Sequence, residues 1–454
     1  MSEPRAPDTG EVRTELERAI GPKLLLFFVI GDILGTGIYA LTGNVAGVIG
    51  GALWVPFLGA FVVAFLTAFS YLDLVGKYPR AAGAALYTNR AFKIPFLTFL
   101  IAFTVMSSGI TSASSAARAF GDTYLEEFVT LPTWAVAIVF ILLLALINFR
   151  GVSESVKANV VLTCIELSGL LIIIAIGVYA VVSGQGEPGR LTEIDTTESG
   201  MLLAITSATS LAFFAMVGFE DSVNMAEETR EPSRIFPRAM LLGMGFAGLI
   251  YVLVAVTSSL LVPADRLAAA ESGALLEVVR IGAPGFPLGL FAVIGLFAVV
   301  NSALINMLMA SRLVYGMSNE RIIPGTFGSV HPARRTPWVS IVFTSAIAVI
   351  LVSTADLELL GGTTSLLLLA VFTVVNVACL VLRRETVSHR HFRAPTWTPW
   401  AGALLCGYLV TPLSGRETKE YVVAGALLVV GVALWFVNRL VVGRVEFDPA
   451  RLGS

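Results

Sequence analysis

Apolar residues fill the chain in long blocks separated by short polar stretches. A block of about 20 apolar residues is the length that crosses a bilayer core as a helix. Such blocks run approximately over 24–47, 52–75, 95–117, 132–149, 158–183, 201–225, 239–262, 287–314, 337–354, 359–382, 398–413 and 421–442. They predict an all-α polytopic membrane protein of about twelve transmembrane helices. The ninth and eleventh spans are short, and the eleventh carries Pro399 and Pro412 near its ends.

The first span breaks its own pattern. Ile30–Ala46 reads IGDILGTGIYALTGNVA, with Gly31, Gly35, Gly37 and Gly43 in quick succession. Glycine costs about 1 kcal/mol against alanine inside a helix. It also lets the backbone leave the helix and approach a ligand. Within a bilayer, unwound backbone is tolerated only where protein or a water-filled cavity covers it. Gly35-Thr36-Gly37 therefore reads as a break that marks a site, or as close helix packing through small residues. The sixth span repeats the anomaly. Phe213-Phe214-Ala215-Met216-Val217-Gly218-Phe219 is followed by Glu220 and Asp221, still inside the apolar run. An intramembrane carboxylate is expensive unless it is paired, neutral or wet. The helix is thus expected to break near residues 215–219.

Two breaks five spans apart fit inverted repeats whose discontinuous helices build a midplane site. The halves would be residues 24–183 and 201–383. A cytoplasmic segment 1–23 would precede them, two further helices within 398–442 would follow, and 443–454 would be a cytoplasmic tail. Helix ends supply the chemistry. The outer half of span 1, starting near Gly37-Ile38, would offer free N–H groups to an anion. Carbonyls freed near Leu34 and near Phe214-Ala215 would suit an ammonium group or a metal cation. Such a site matches a zwitterion like an α-amino acid.

Composition narrows the class. The chain has 454 residues, 56% of them hydrophobic and only 14% charged, which fits a membrane protein and no soluble domain. No basic stripe with interleaved aromatics occurs, so a nucleic-acid partner is not expected. Cys164, Cys379 and Cys406 lie singly in apolar segments, and His331, His389 and His391 fall in loops. No metal, cofactor or disulfide framework is expected from them. The first 23 residues lack a short apolar h-region with a cleavage site, so the first membrane helix is expected to direct insertion. With a cytoplasmic N-terminus, 24 of the 30 Lys and Arg residues fall on the cytoplasmic side. Arg118, Arg190, Arg266, Arg280, Arg416 and Lys419 fall outside. This asymmetry predicts both termini inside and an even number of spans. The stretch Glu11–Ile20 could form a short surface helix, and Lys77–Lys93 is polar enough to lie at the cytoplasmic interface. The outer loops Ser183–Gly200 and Pro263–Phe286 read as solvent-exposed connectors.

Four stretches together resemble the amino acid–polyamine–organocation (APC) permeases. They are GDILGTGIY in span 1, SYLDLVGKYPRAAGAALYTNRAF from span 2 into span 3, FFAMVGFEDSVNMAEETREPSRIFPRAM at span 6, and SRLVYGMSNERIIPGTFGSVHPARRTPW after span 8. The resemblance covers nearly the whole chain. It implies the leucine-transporter-like 5+5 inverted repeat with helices 1 and 6 broken, plus two extra helices. It also implies secondary active transport of amino acids or related amines by alternating access. By that likeness Gly35, Thr36, Gly37 and Ile38 would hold a substrate carboxylate. Phe214, Ala215 and Gly218 would bind the amine and flank the side chain. One departure stands in span 5. Proton-coupled members of the family often carry a lysine downstream of a GxxES motif, here GVSES at Gly151–Ser155, where this chain has Glu166.

The remaining intramembrane polar residues divide between site and scaffold. Asp32 and Glu166 are candidates for coupling to H⁺ or Na⁺, or for a cationic substrate; otherwise each caps unwound backbone. Glu220 and Asp221 read better as caps or gate partners than as ligands. Glu227 and Glu228, with Arg230, Arg234 and Arg238, read as a solvated or gating network. Phe213 and Phe219 are expected in the core, with Phe214 as a pocket wall. Met106, Ser107, Ser108 and Gly109 are placed to line a cavity. Asn301, Ser302 and Asn306 would be ion or substrate ligands, or helix–helix hydrogen bonders. Gly361–Ser365 reads as a flexible polar opening to span 10 that serves as an outer gate.

The functional expectation is a carrier of amino acids or related amines in the plasma membrane, coupled to protons. An exchanger or a sodium-coupled carrier is the alternative. A channel would need charge rings or a filter repeat, and neither is found. An enzyme is not expected, since no span holds a histidine and the cysteines are isolated.

Overall fold

The structure, a computed structural model, describes residues 20–79, 83–150, 155–196, 200–226, 229–319 and 322–442. The expected surface helix up to Ile20, the GVSES motif before Ser155, Glu227, Glu228 and the tail after 442 lie outside the described residues, apart from Ile20 itself.

The first apolar run folds as two helices, α1 (Pro22–Ile33) and α2 (Thr36–Ile49). Then come α3 (Trp54–Lys77), α4 (Gly83–Phe92), α5 (Pro95–Ala119), α6 (Thr133–Arg150) and α7 (Ser155–Val182). The second half runs through α8 (Met201–Ala212), α9 (Pro232–Leu261), α10 (Ala264–Ala269), α11 (Ala274–Gly282) and α12 (Leu288–Asn319). It closes with α13 (Trp338–Thr354), α14 (Leu357–Leu382), α15 (Trp397–Val410) and α16 (Thr418–Val442). All twelve apolar blocks are helical, and ten helical spans among the described residues are long and apolar enough to cross a membrane. The two left over are the short ones, α13 with 17 residues and α15 with 14. Helices suit this solvent because each backbone polar group is satisfied within its own segment. Proline opens α1, α5 and α9, where its missing N–H is no loss.

Burial orders the helices from centre to rim. The span Pro22–Ile49 is 78% buried, whereas Thr133–Arg150 and Thr418–Val441 are 28% buried each. The centre therefore consists of α1–α2, α5, α8 and α14, with α12 packed on α5. Leucines and valines on α6 and α16, such as Leu142, Leu143, Val429 and Val437, point outward as a lipid-facing rim does.

Two loop expectations change. The stretch expected at the interface contains α4, whose Tyr87 is fully buried against Tyr71, with ring centroids 6.1 Å apart. Alternating small and aromatic residues give it an apolar face that packs on α14 and α5. The connector Pro263–Phe286 contains α10 and α11, which pack on α2 rather than standing in solvent. Leu267, Leu275, Val278 and Val279 are its fully buried face.

Polar ties fix the packing at both ends of α14. At one end Arg416 is buried, although the charge pattern alone placed it in an outer loop. It donates through Nε to the Leu409 carbonyl (2.6 Å) and through Nη1 to the Gly362 carbonyl (3.0 Å) and Glu420 Oε2 (2.6 Å). Its Nη2 reaches Ser365 Oγ (2.9 Å) and the Ser210 carbonyl (3.4 Å). At the other end the Asp73 carboxylate accepts from the Ala394 N–H (3.0 Å), and the Lys77 ammonium donates to the Leu382 carbonyl. These bonds fasten α3 to the segment between α14 and α15.

Candidate functional site

The helix breaks fall where the glycines placed them. α1 ends at Ile33, and the Leu34 N–H returns to the Ile30 carbonyl (2.9 Å). Gly35 then turns the chain (φ −80°, ψ −145°) into α2, which starts at Thr36 with no side-chain cap. The first amides of α2 therefore carry no intrahelical partner and present the positive end of a helix. In span 6, α8 ends at Ala212 and tightens into a 3₁₀ turn over Phe213–Met216. Val217 is extended, and Gly218 takes φ +124°, a conformation that side chains oppose. A second 3₁₀ turn, Asp221–Met225, continues the chain. Glu220 Oε2 accepts the Gly218 N–H (2.9 Å), so this carboxylate caps freed backbone as the sequence suggested.

The two breaks touch. A Cβ on Gly37 would run into the Ala215 backbone, and one on Gly218 would run into the Asp32 carbonyl. Gly35 packs against Ser302 of α12. Absence of side chains at these points is what lets the unwound segments meet.

Between them lies a small cavity of about 20 Å³, lined by Asp32, Thr36, Phe214, Gly218, Asp221 and Ser302 among others. A second, also of about 20 Å³, shares Val217, Asp221 and Asn306 in its lining and is otherwise bounded by Ser108, Gly109, Glu220 and Leu368 among others. No Lys, Arg or His lines either cavity. Thr36 is 2% exposed and its hydroxyl has no hydrogen-bond partner, and neither has Asp32 Oδ2. Several carbonyls at the breaks are already taken. The Tyr251 hydroxyl donates to the Ile33 carbonyl, Val217 N–H to Phe214 (3.3 Å), and Ser365 Oγ to Ser210 (2.5 Å).

Of the residues singled out from sequence, Asp32, Gly35, Thr36, Gly37, Phe214, Gly218 and Ser302 line the first cavity. Ile38 and Ala215 lie just behind the wall, both buried. Met106 is buried in the core, while its neighbours Ser108 and Gly109 line the second cavity. Phe213 and Phe219 form an aromatic cluster with Phe372, at ring-centroid distances of 5.9 and 5.2 Å. Glu166 lines neither cavity. It is fully buried, and neither carboxylate oxygen nor the buried Asn301 amide nitrogen has a hydrogen-bond partner. The Tyr39 hydroxyl holds the Glu166 backbone carbonyl (2.5 Å). Asp32 shares the first cavity with Asp221, not with Glu166. The opening Gly361–Ser365 lies in regular α14, wholly buried, with Thr364 Oγ1 bonded to Thr111 (2.7 Å).

Asp221 and Ser112 are cavity residues that sequence reasoning passed over. Ser112 stands four residues after Ser108, on the same helical face, so the i,i+4 spacing carried a signal. Asp221 looked like a cap beside Glu220, but Glu220 takes the Gly218 N–H while Asp221 lines the cavity.

Residues 20–440 match the family described as amino acid permease. The chain is 28% identical over 445 residues to an uncharacterized transporter of Mycobacterium tuberculosis, covering 97% of this chain and 96% of that protein. It is 24% identical to the branched-chain amino acid permease BcaP of Bacillus subtilis, covering 95% and 94%. It is 25% identical to the low-affinity putrescine importer PlaP of Escherichia coli, covering 90% and 91%.

Proposed function

Because the chain belongs to the amino acid permease family, within the APC superfamily, we propose that it is a secondary active transporter of amino acids or related amines working by alternating access. The observation that carries this reading is the meeting of two broken helices at one cavity, with an uncapped helix N-terminus on one wall and carboxylates on the other. The free amides at Thr36–Ile38 would receive a substrate carboxylate, and Asp32 would receive its ammonium group. One relative is named for branched-chain amino acids and another for putrescine, which supports an amino acid or amine as substrate.

The proposed architecture is twelve spans, arranged as two inverted repeats and an added pair, with both termini in the cytoplasm and the protein in the plasma membrane. The α1 and α8 halves would tilt about the glycines at 35 and 218 as the site opens to one side and then the other. Coupling is assigned to protons, with Glu166 as the carrier. A carboxyl buried inside a span with both oxygens unpartnered is costly to keep, which marks it as a functional residue. Sodium coupling or strict exchange is the competing reading.

Counterflow in proteoliposomes tests the class. The purified protein is expected to show saturable uptake of labelled amino acids or amines, accelerated by unlabelled substrate on the far side. Conductive, non-saturating flux with no such acceleration would make it a channel.

A further inference from the structure

Three core tyrosines, Tyr39, Tyr124 and Tyr251, are fully buried, and each commits its hydroxyl to a backbone carbonyl. Tyr251 on α9 donates to Ile33, the last residue of α1. Tyr124, beyond the end of α5, donates to Tyr39 (2.7 Å). Tyr39 reaches from α2 to α7 and donates to the Glu166 carbonyl (2.5 Å). That carbonyl lies inside a regular helix, which already supplies it with a partner four residues on. The bond from Tyr39 is therefore an addition that α7 does not need for its own stability. Room is kept for it: a Cβ on Gly169, three residues past Glu166, would strike Tyr39 Oη. The Tyr124 and Phe291 rings flank the Tyr39 ring, each with centroids 6.3 Å away, so the side chain is held as a strut. One end of this strut is the first turn of α2, directly after the free amides at Thr36–Ile38. The other end is the residue whose carboxyl is buried without a partner and lines neither cavity.

We propose that Tyr39 is the positioning residue that joins the substrate site to Glu166. Its hydroxyl ties the start of α2 to the α7 backbone at Glu166, so a tilt of α2 over bound substrate moves the Glu166 carboxyl with it. This deepens the transport reading above and rests on it, Glu166 being the proton carrier there. A carrier residue outside the cavity needs a physical connection to the site, and coupling of this kind runs through hydrogen bonds and rigid packed groups. Among the described residues, the titratable groups within electrostatic reach of Glu166 are Asp32 on α1, Tyr39 itself and Tyr251 on α9. Of these, only Tyr39 is bonded to the Glu166 residue.

The test uses the full-length protein in proteoliposomes, with a uniformly labelled amino acid mixture plus labelled putrescine as the probe. Wild-type uptake is expected to rise on external acidification. Tyr39→Phe keeps the ring and is expected to lose that rise, and concentrative uptake with it, while retaining counterflow. Gly169→Ala drives a methyl group against the same hydroxyl and is expected to lose the rise too. Tyr124→Phe removes an equally buried hydroxyl that does not reach Glu166, and is expected to keep the rise. A wild-type pH profile in Tyr39→Phe overturns the proposal and leaves the transport reading standing. A flat profile in Tyr124→Phe also overturns it, because the loss then comes from weakening the tyrosine cluster at large. Loss of counterflow in folded Tyr39→Phe does the same, since the hydroxyl then serves substrate movement itself. If Tyr39→Phe fails to fold, Gly169→Ala decides by the same outcomes. Wild-type uptake that ignores pH removes Glu166 as the proton carrier and this proposal with it. Absence of wild-type counterflow for the whole mixture removes the transport reading itself.

Discussion

At the residue scale the site depends on what Gly37 and Gly218 lack. The Cβ of any substitution at Gly37 meets backbone atoms of Ala215, which cannot swing aside as a side-chain tip can. Overpacking of this kind typically costs about 1–3 kcal/mol. Gly37→Ala is expected to reduce uptake by more than about tenfold, a barrier change of roughly 1.4 kcal/mol. Gly245→Ala, where nothing lies within 4 Å of the added carbon, should leave uptake unchanged. Equal activity of both variants would contradict the close approach of the breaks. Glu166 poses a different residue-level question, since it is buried, unpartnered and outside the cavity. A proton carrier there loads more readily as external pH falls, so wild-type uptake should rise on acidification. Glu166→Gln keeps the shape but is permanently neutral. It is expected to lose the pH dependence and concentrative uptake while retaining counterflow; a wild-type pH profile of uptake in this variant excludes Glu166 as the carrier.

At the element scale, the sequence made the broken helices readable and left their packing obscure. Glycines at 35 and 37 and at 218 weaken a continuous helix, and the carboxylates beside Gly218 strengthened the reading of a break over one of close packing. Ile38 and Met106 could not be separated from true wall residues, because every face of a central helix is buried and apolar periodicity then says nothing about which side meets the cavity. Arg416 escaped notice for the opposite reason: a charge in a short loop reads as solvated. Its guanidinium instead ties the last turn of α8, the first turns of α14 and the α15–α16 pair together, with Glu420 at 2.6 Å. Gly362 makes room for the Glu420 carboxylate, which a Cβ there would strike. Removing one partner of a buried ion pair typically costs about 3–5 kcal/mol. Arg416→Gln is expected to lower the melting temperature clearly, and adding Glu420→Gln should recover part of the loss. If the double variant is no more stable than the single one, the pair is not the unit that holds these elements.

At the scale of the whole molecule, helical content, span positions and family were legible in the hydropathy blocks and motifs, because lipid forces nearly every span to satisfy its own backbone. The capping helices α10 and α11 and the inserted α4 were not, since their apolar faces are short and sit among polar residues. The central claim is that one site at the crossing of two broken helices faces each side of the membrane in turn. Thr36 is the residue to watch: it lines the cavity, is 2% exposed and has a free hydroxyl. The direct measurement is reaction of Thr36→Cys with a membrane-impermeant thiol reagent, in a background with Cys164, Cys379 and Cys406 replaced by alanine. The account predicts labelling from either face of sealed vesicles, slowed by transported substrate on either side. Labelling from one face only, with no protection by substrate, would contradict it.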